Sequence, residues 1–243
     1  MKILVTGGAG YVGSNLIKHL KKHTNTTITS LDNYFTGQKD NHIEGVEYIQ
    51  GNTWEINQLP KQDIVYHFGE YSRVVPSFKD VEYLMTANLW ATSRVLEQCN
   101  KWNAKLIYSA SSSKFGDNEN LSPYSWVKSK MVELIKNYAE WYKLKYEICY
   151  FYNVYGKNHI TEGDYATVIG IFEKQYKEGK EWYLSSDTNY EIIDVAKMFT
   201  DNIKFIPKRK GERYEAVSIK NDTKEVLNWK IKNNLKDYIN GTK

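Results

Sequence analysis

The segment SPYSWVKSK, Ser122–Lys130, sets a phenol and an ammonium group four residues apart at the start of a helical stretch. Four residues is one helical turn, so Tyr124 and Lys128 share a face. The chemistry open to such a pair is proton abstraction. A phenol titrates near pH 10 in water, so service as a base at neutral pH needs roughly 4 kcal/mol of preferential phenolate stabilisation. A cation one turn away provides stabilisation of that kind. The plainer alternative is a buried stripe of Tyr124, Val127, Met131, Leu134, Ile135 and Tyr138. That stripe accounts for its apolar members and leaves a lysine on the same face unexplained.

A second group of residues points to a nucleotide. In TGGAGYVG, Gly7, Gly10 and Gly13 are spaced as GxxGxxG between an apolar run and an amphipathic one. Gly7 permits a tight turn, Gly10 lets backbone amides approach a pyrophosphate, and Gly13 lets helix pack on strand. The following helix offers its N-terminal amides and a partial positive charge to phosphate oxygens. Asp32 closes the next apolar run about 20 residues on, where a carboxylate accepts from ribose hydroxyls and repels a 2′-phosphate. The combination predicts NAD in preference to NADP.

These groups need a scaffold, and the hydrophobic pattern describes one. Strands are expected at 2–6, 27–32, 46–51, 63–69, 105–111 and 146–156, with helices at 11–23, at about 81–102 and from Tyr124 to about Tyr142. Strands alternating with helices predict an α/β fold, a Rossmann-type doubly wound parallel sheet covered on both faces. After Gly156 the pattern loosens into a helix at 165–179, a short strand near Trp182 and a helix at about 190–202. The expected division is a main domain at 1–156 and a small C-terminal substrate-binding cap at 157–243.

Composition narrows the partners. The chain has 243 residues, 41% hydrophobic and 14% aromatic, which fits a packed core rather than a disordered chain. A net charge of +4 with dispersed lysines does not indicate a nucleic-acid surface. The densest basic stretch, KFIPKRKGER (204–213), reads equally as a solvated loop or a phosphate site. Cys99 and Cys149 lie in apolar contexts, are expected to be buried and structural, and suggest neither a disulfide framework nor a metal site. No apolar run reaches the length of a membrane span, and MKILVTGG is too short for a signal peptide, so a soluble cytoplasmic protein is expected.

The glycine turn together with Tyr-x-x-x-Lys resembles the extended short-chain dehydrogenase/reductase family. Within it the chain is most similar to NAD-dependent nucleotide-sugar epimerases of the UDP-glucose 4-epimerase type. The resemblance implies a catalytic set of Ser111, at the end of the strand KLIYSASSSKFG, Tyr124 and Lys128. It implies NAD contacts from Gly7, Gly10, Tyr11, Val12 and Gly13, from Asp32 and Asn33 in LDNYFTG, and from Asn52 and Thr53. Phe68 and Gly69 in HFGEYSRV, Ser109, Tyr124 and Lys128 complete that set. For the nucleotide sugar it implies Asn88 in TANLWAT, Ser112, Asn153 in YFYNVYG, and Arg209 and Glu212 in RKGE. A homodimer through the helices near 81–102 and 124–142 is also implied.

Three departures stand out. Glu70 occupies a turn where the family has small residues, and Asn52 stands where the family has an Asp. GIFEKQYKEGK runs directly into EWYLSSDTNYEIIDVAKMF, without the family's Arg-Asp-Phe-like strand and second phosphate-binding arginine, so the chain is expected to be shortened there. Related dehydratases carry an acid just after the catalytic serine or threonine, whereas this sequence has Ser112, Ser113 and Lys114. The expected activity is therefore 4-epimerisation of a UDP-hexose. The alternatives are another reductase or dehydratase of nucleotide sugars, or a cofactor-binding protein with little turnover.

Overall fold

The computed structural model describes residues 1–156, 158–167, 169, 193, 197–198 and 200–205. The chain divides into two compact units, Met1–Tyr152 and Asn153–Lys243. The expected elements at 165–179, near Trp182 and at 190–202 fall wholly or largely outside the described residues. In the second unit the Thr167 amide donates to the Ile160 carbonyl at 3.0 Å.

The first unit is built on strands β1 (Lys2–Thr6), β2 (Thr27–Asp32), β3 (Glu47–Gln50), β4 (Ile64–His67), β5 (Lys105–Ser111) and β6 (Tyr146–Phe151). They form one six-stranded sheet in the order β3-β2-β1-β4-β5-β6. All five pairings are parallel. From β1 the chain winds outward first to β2 and β3, then the other way through β4, β5 and β6. The turn after β1 therefore lies at the switch point where open α/β sheets bind ligands.

Burial explains the central strand. Ile3 and Val5 point to one face and pack with Ile17 and Leu20 of helix α1 (Tyr11–His23) and with Ile28 of β2. Leu4, on the opposite face, is fully buried as well. A strand covered on both sides has no solvated polar face, and beyond Lys2 the one polar residue of KILVT is Thr6, which is buried with its hydroxyl hydrogen-bonded.

The expected strand at 146–156 ends at Phe151. Among the described residues it pairs only with β5, and its own residues are half-buried or exposed. Cys149 sits at one of its exposed positions, correcting the expectation that it is buried. Cys99 is buried, and burial pushes its thiol up to about 12.

The long helical stretch is not one α-helix. It comprises α2 (Val81–Leu84), a π-helical turn Met85–Trp90 and α3 (Ala91–Trp102). Helix α4 begins at Pro123 rather than Tyr124 and runs to Tyr142. Its cap is Ser122, whose hydroxyl accepts from the Ser125 amide at 3.1 Å, with proline at the first helical position.

Two glycines in the first turn cannot carry a side chain. Gly7 adopts φ +71°, and a Cβ there would lie 2.8 Å from the Gly69 amide nitrogen. A Cβ at Gly13 would run into the Gly7 carbonyl oxygen and the Gly8 backbone. Backbone on backbone leaves little room to yield. Gly13→Ala is expected to lower unfolding stability by about 1–3 kcal/mol. A urea midpoint equal to that of the parent would show that the α1–β1 approach is looser than this packing requires.

Candidate active site

Parallel strands deliver their carboxyl ends to one edge of the sheet. That edge collects the Gly7–Gly13 turn after β1, Asp32 at the end of β2, Phe68–Glu70 after β4 and Ser111 at the end of β5.

The nucleotide end is held by the backbone. The Gly7 amide donates to the Leu31 carbonyl at 2.8 Å, and the Gly10 amide to the Gly7 carbonyl at 3.1 Å. Helix α1 has no side-chain cap and no acidic residue in its first turn, so the positive end of its dipole is uncompensated. The Asp32 carboxylate accepts from the Ala9 amide at 2.8 Å and from the Tyr34 amide at 2.8 Å. A carboxylate has about four lone-pair sites, so these two bonds fix its orientation and leave acceptor capacity for ribose hydroxyls. Asn33 donates to the side chain of Asn52 at 3.1 Å and to the Tyr83 hydroxyl at 3.0 Å. Thr53 donates to the Gly69 carbonyl at 2.8 Å. Glycine clearances, an uncapped helix and a fixed carboxylate together fit a dinucleotide.

At the chemical end, Ser111 accepts from the Ser113 amide at 3.2 Å and from the Ser113 hydroxyl at 2.7 Å. With its lone pairs so engaged, its own proton is left to donate. Ser112 follows as the first residue of a short 3₁₀ turn, Ser112–Lys114. Tyr124 is half-buried in the first turn of α4, and its amide donates to the Ser77 hydroxyl at 3.3 Å. Lys128, one turn on, is 5% exposed. Its ammonium pairs with Glu70 and also donates to the Ser109 carbonyl. It lies 4.4 Å from the centre of the Tyr108 ring.

Glu70, the sequence departure, is thus inside the site, with its side chain 2% exposed. One carboxylate oxygen faces Lys128, and the other accepts from the Tyr108 hydroxyl at 3.0 Å and the Thr92 hydroxyl at 3.1 Å. Burial, the Glu70 charge and hydrogen bond, and then Tyr124 and Tyr150 push Tyr108 well above the ordinary phenol range. Tyr108 is therefore a fixed donor, and Tyr124 lies within its electrostatic reach. Tyr108, Thr92, His67 and Thr6 escaped the sequence reading. The available signal was Glu70 itself, since a carboxylate beside a buried lysine needs hydroxyls around it.

Asn88, expected to meet the sugar, is fully buried. Its amide grips the Tyr71 backbone from both sides, accepting from the nitrogen at 2.7 Å and donating to the carbonyl at 2.8 Å. Its amide thereby holds the turn after β4. Asn153 is exposed and opens the second unit. Arg209, Glu212 and the expected internal shortening lie outside the described residues. Among the described residues no cluster could hold a metal ion, and no helix is long and apolar enough to cross a membrane.

The sheet order and the first turn define a dinucleotide-binding α/β fold. The chain belongs to the NAD dependent epimerase/dehydratase family, which it matches over residues 3–217. A Methanocaldococcus jannaschii protein provisionally named a UDP-glucose 4-epimerase is 30% identical over 218 residues, covering 80% of this chain and 71% of its own. An ADP-L-glycero-D-manno-heptose-6-epimerase from Alkalilimnicola ehrlichii is 24% identical over 227 residues, covering 80% and 68%. The crystal structure of UDP-glucose 4-epimerase from Thermotoga maritima with UDP-glucose superposes with a TM-score of 0.84 at 22% identity, covering 98% of this chain and 96% of that one. At that identity the likeness carries the fold.

His67 joins the two ends of the site. It is fully buried, 2.7 Å from the Thr6 hydroxyl through Nδ1 and 2.9 Å from the Thr92 hydroxyl through Nε2. Burial lowers it to about 4; Lys128 pushes the same way and Glu70 opposes. As pH falls through about 6.5 the unfolded chain takes up a proton that the folded chain refuses until about 4. The stability held at neutral pH is therefore lost across that window, on the order of 3 kcal/mol in all. Urea midpoints measured from pH 7 to pH 4 should fall more steeply for the parent than for His67→Gln. Parallel curves would assign the loss to other groups.

Proposed function

We propose that the protein is an NAD-dependent nucleotide-sugar epimerase that inverts C4 of a UDP-hexose through a keto-sugar. The observation that carries this reading is the Tyr124–Lys128 pair at the start of α4, set against a strand that ends in Ser111 whose lone pairs are engaged by Ser113. NAD, when bound, supplies the acceptor and donor of hydride. The chain does the rest. Tyr124 takes the proton from the sugar hydroxyl, and Ser111 donates a hydrogen bond to the same oxygen. Lys128 stabilises the Tyr124 phenolate by its charge. Asp32 and the amides of the first α1 turn hold the nucleotide, with Asn33, Thr53, Phe68, Gly69 and Ser109 around it. Asn153, Arg209 and Glu212 are assigned to the nucleotide sugar by resemblance.

The choice of epimerase over dehydratase rests on positions 112–114. Ser113 is buried and spent on Ser111, and Lys114 donates to the Ser129 hydroxyl at 3.1 Å. Neither is free to move a further proton. Proton NMR with a panel of UDP-hexoses should show the 4-epimer accumulating to equilibrium with no 4-keto-6-deoxy product. Tyr124→Phe should cut turnover about a hundredfold to ten-thousandfold while leaving NAD affinity by calorimetry near that of the parent, and tighter than NADP in both proteins. Near-parental turnover in that variant would place the base elsewhere.

We also assign the chain to homodimers. Trp90, Trp126, Trp141 and Tyr142 lie on or beside the helices expected to pack together, and each is at least 38% exposed. Large aromatics left open on two helices favour burial against a second copy. Light scattering at tens of micromolar should give a dimer mass. A monomer would reject the arrangement.

A further inference from the structure

A buried ammonium needs a counter-charge, and in this site the counter-charge comes from a residue that the catalytic set does not include. The Lys128 side chain is 6% exposed and its neighbours on every packed element can be named. Glu70 approaches from the turn after β4, the Ser109 carbonyl and the Tyr108 ring from β5, and Tyr124 sits one turn back on α4. His67 of β4 is electrostatically coupled to both Lys128 and Glu70. A carbonyl and a ring face offer partial charge only. Glu70 alone among these offers a full negative charge in contact.

The orientation of Glu70 is set by a directed chain of hydrogen bonds. A carboxylate only accepts, so the Tyr108 and Thr92 hydroxyls both donate to it. Thr92 has one proton and has spent it, so it must accept from His67 Nε2–H. That fixes the tautomer from the network, leaving His67 Nδ1 to accept from Thr6. The Thr6 oxygen then accepts from the Phe68 amide at 3.2 Å and the Gly69 amide at 3.0 Å. Gly69 is the residue that crowds Gly7. One polar chain thus runs from Lys128 to the turn packed beneath the glycine loop, and every member is directed by the negative charge on Glu70.

We propose that Glu70 is a positioning residue for Lys128: its carboxylate is the counter-charge that keeps the Lys128 side chain ionised and fixed within a pocket closed to water. The proposal rests on the reading of Lys128 as the cation that activates Tyr124. Glu70→Gln isolates it, because the amide oxygen can still accept from Tyr108 and Thr92 while the amide nitrogen presents a donor to Lys128 in place of a charge. Uncompensated burial disfavours the charged form of a lysine. In that variant Lys128 should lose its proton at lower pH than in the parent, and turnover should acquire a descending limb as pH rises.

The test reads the ligand-free protein, so it stands whether or not the sugar assignment does. Protein carrying lysine labelled with ¹³C at Cε is titrated by NMR, with Lys128→Met identifying the Lys128 signal. The expected result is a Lys128 midpoint about one pH unit or more lower in Glu70→Gln than in the parent. Coincident midpoints overturn the proposal. If Glu70→Gln is too unstable to titrate, thermal melting of the double variant Glu70→Gln/Lys128→Met decides. Removing the stranded charge should raise the melting temperature above that of Glu70→Gln alone, and a double variant no more stable than the single one overturns the proposal. Failure of UDP-sugar turnover with the NMR shift present would reject the epimerase reading and leave Glu70 in its role.

Discussion

Glu70 and Lys128 carry opposite charges where neither side chain exceeds 6% exposure. Taking each charge out of water costs several kcal/mol, and their attraction offsets this only when the remaining hydrogen-bonding capacity is met. Here Tyr108 and Thr92 serve the carboxylate, and the Ser109 carbonyl takes a second ammonium N–H beside the one on Glu70. The requirement reaches outward. It commits Thr92 on α3 and Tyr108 on β5, makes His67 a neutral relay, and ends at backbone amides beside the glycine turn. A buried pair contributes little to stability by itself, but it tolerates few arrangements of its neighbours. That intolerance ties β1, β4, β5, α3 and α4 to one geometry at the edge where the chemistry lies.

Most of this fold is legible in the sequence because its determinants are local. β1, α1, β2 and β5 are found at their expected boundaries. In each case an apolar run or an amphipathic period ends at a residue that changes the pattern. Where the sequence reading ran long, at 46–51, 63–69 and 146–156, the surplus mixes apolar residues such as Val46, Phe68 and Val154 with glycines and polar residues, and none of them joins a strand pairing among the described residues. Pairing is a tertiary fact, and β6 ends where its partner β5 does. The π-helical turn at Met85–Trp90 was likewise invisible, since its spacing differs from an α-helix by one residue. Asn88 sits in that turn and holds the Tyr71 backbone.

The site divides along the same line. Gly7, Gly13, Asp32, Ser111, Tyr124 and Lys128 are readable because their spacing is a motif, and the sheet brings their elements to one edge. Asn88 was assigned to the sugar by a position match, and in the structure it is buried with its amide holding the Tyr71 backbone. Glu70 was visible only as an anomaly. Its partners come from 22 to 58 residues away, and no local pattern predicts which hydroxyls will surround a carboxylate.

Two carboxylates at the sheet edge are therefore put to different uses. Asp32 accepts two backbone amides and keeps acceptor capacity, as a ligand contact requires. Glu70 accepts two hydroxyls at one oxygen and an ammonium at the other, and its side chain is 2% exposed. A carboxylate so engaged could take a proton only by surrendering its pair with Lys128 and stranding a buried charge. Asp32 is thus left open to a ligand, while Glu70 is committed to the protein itself.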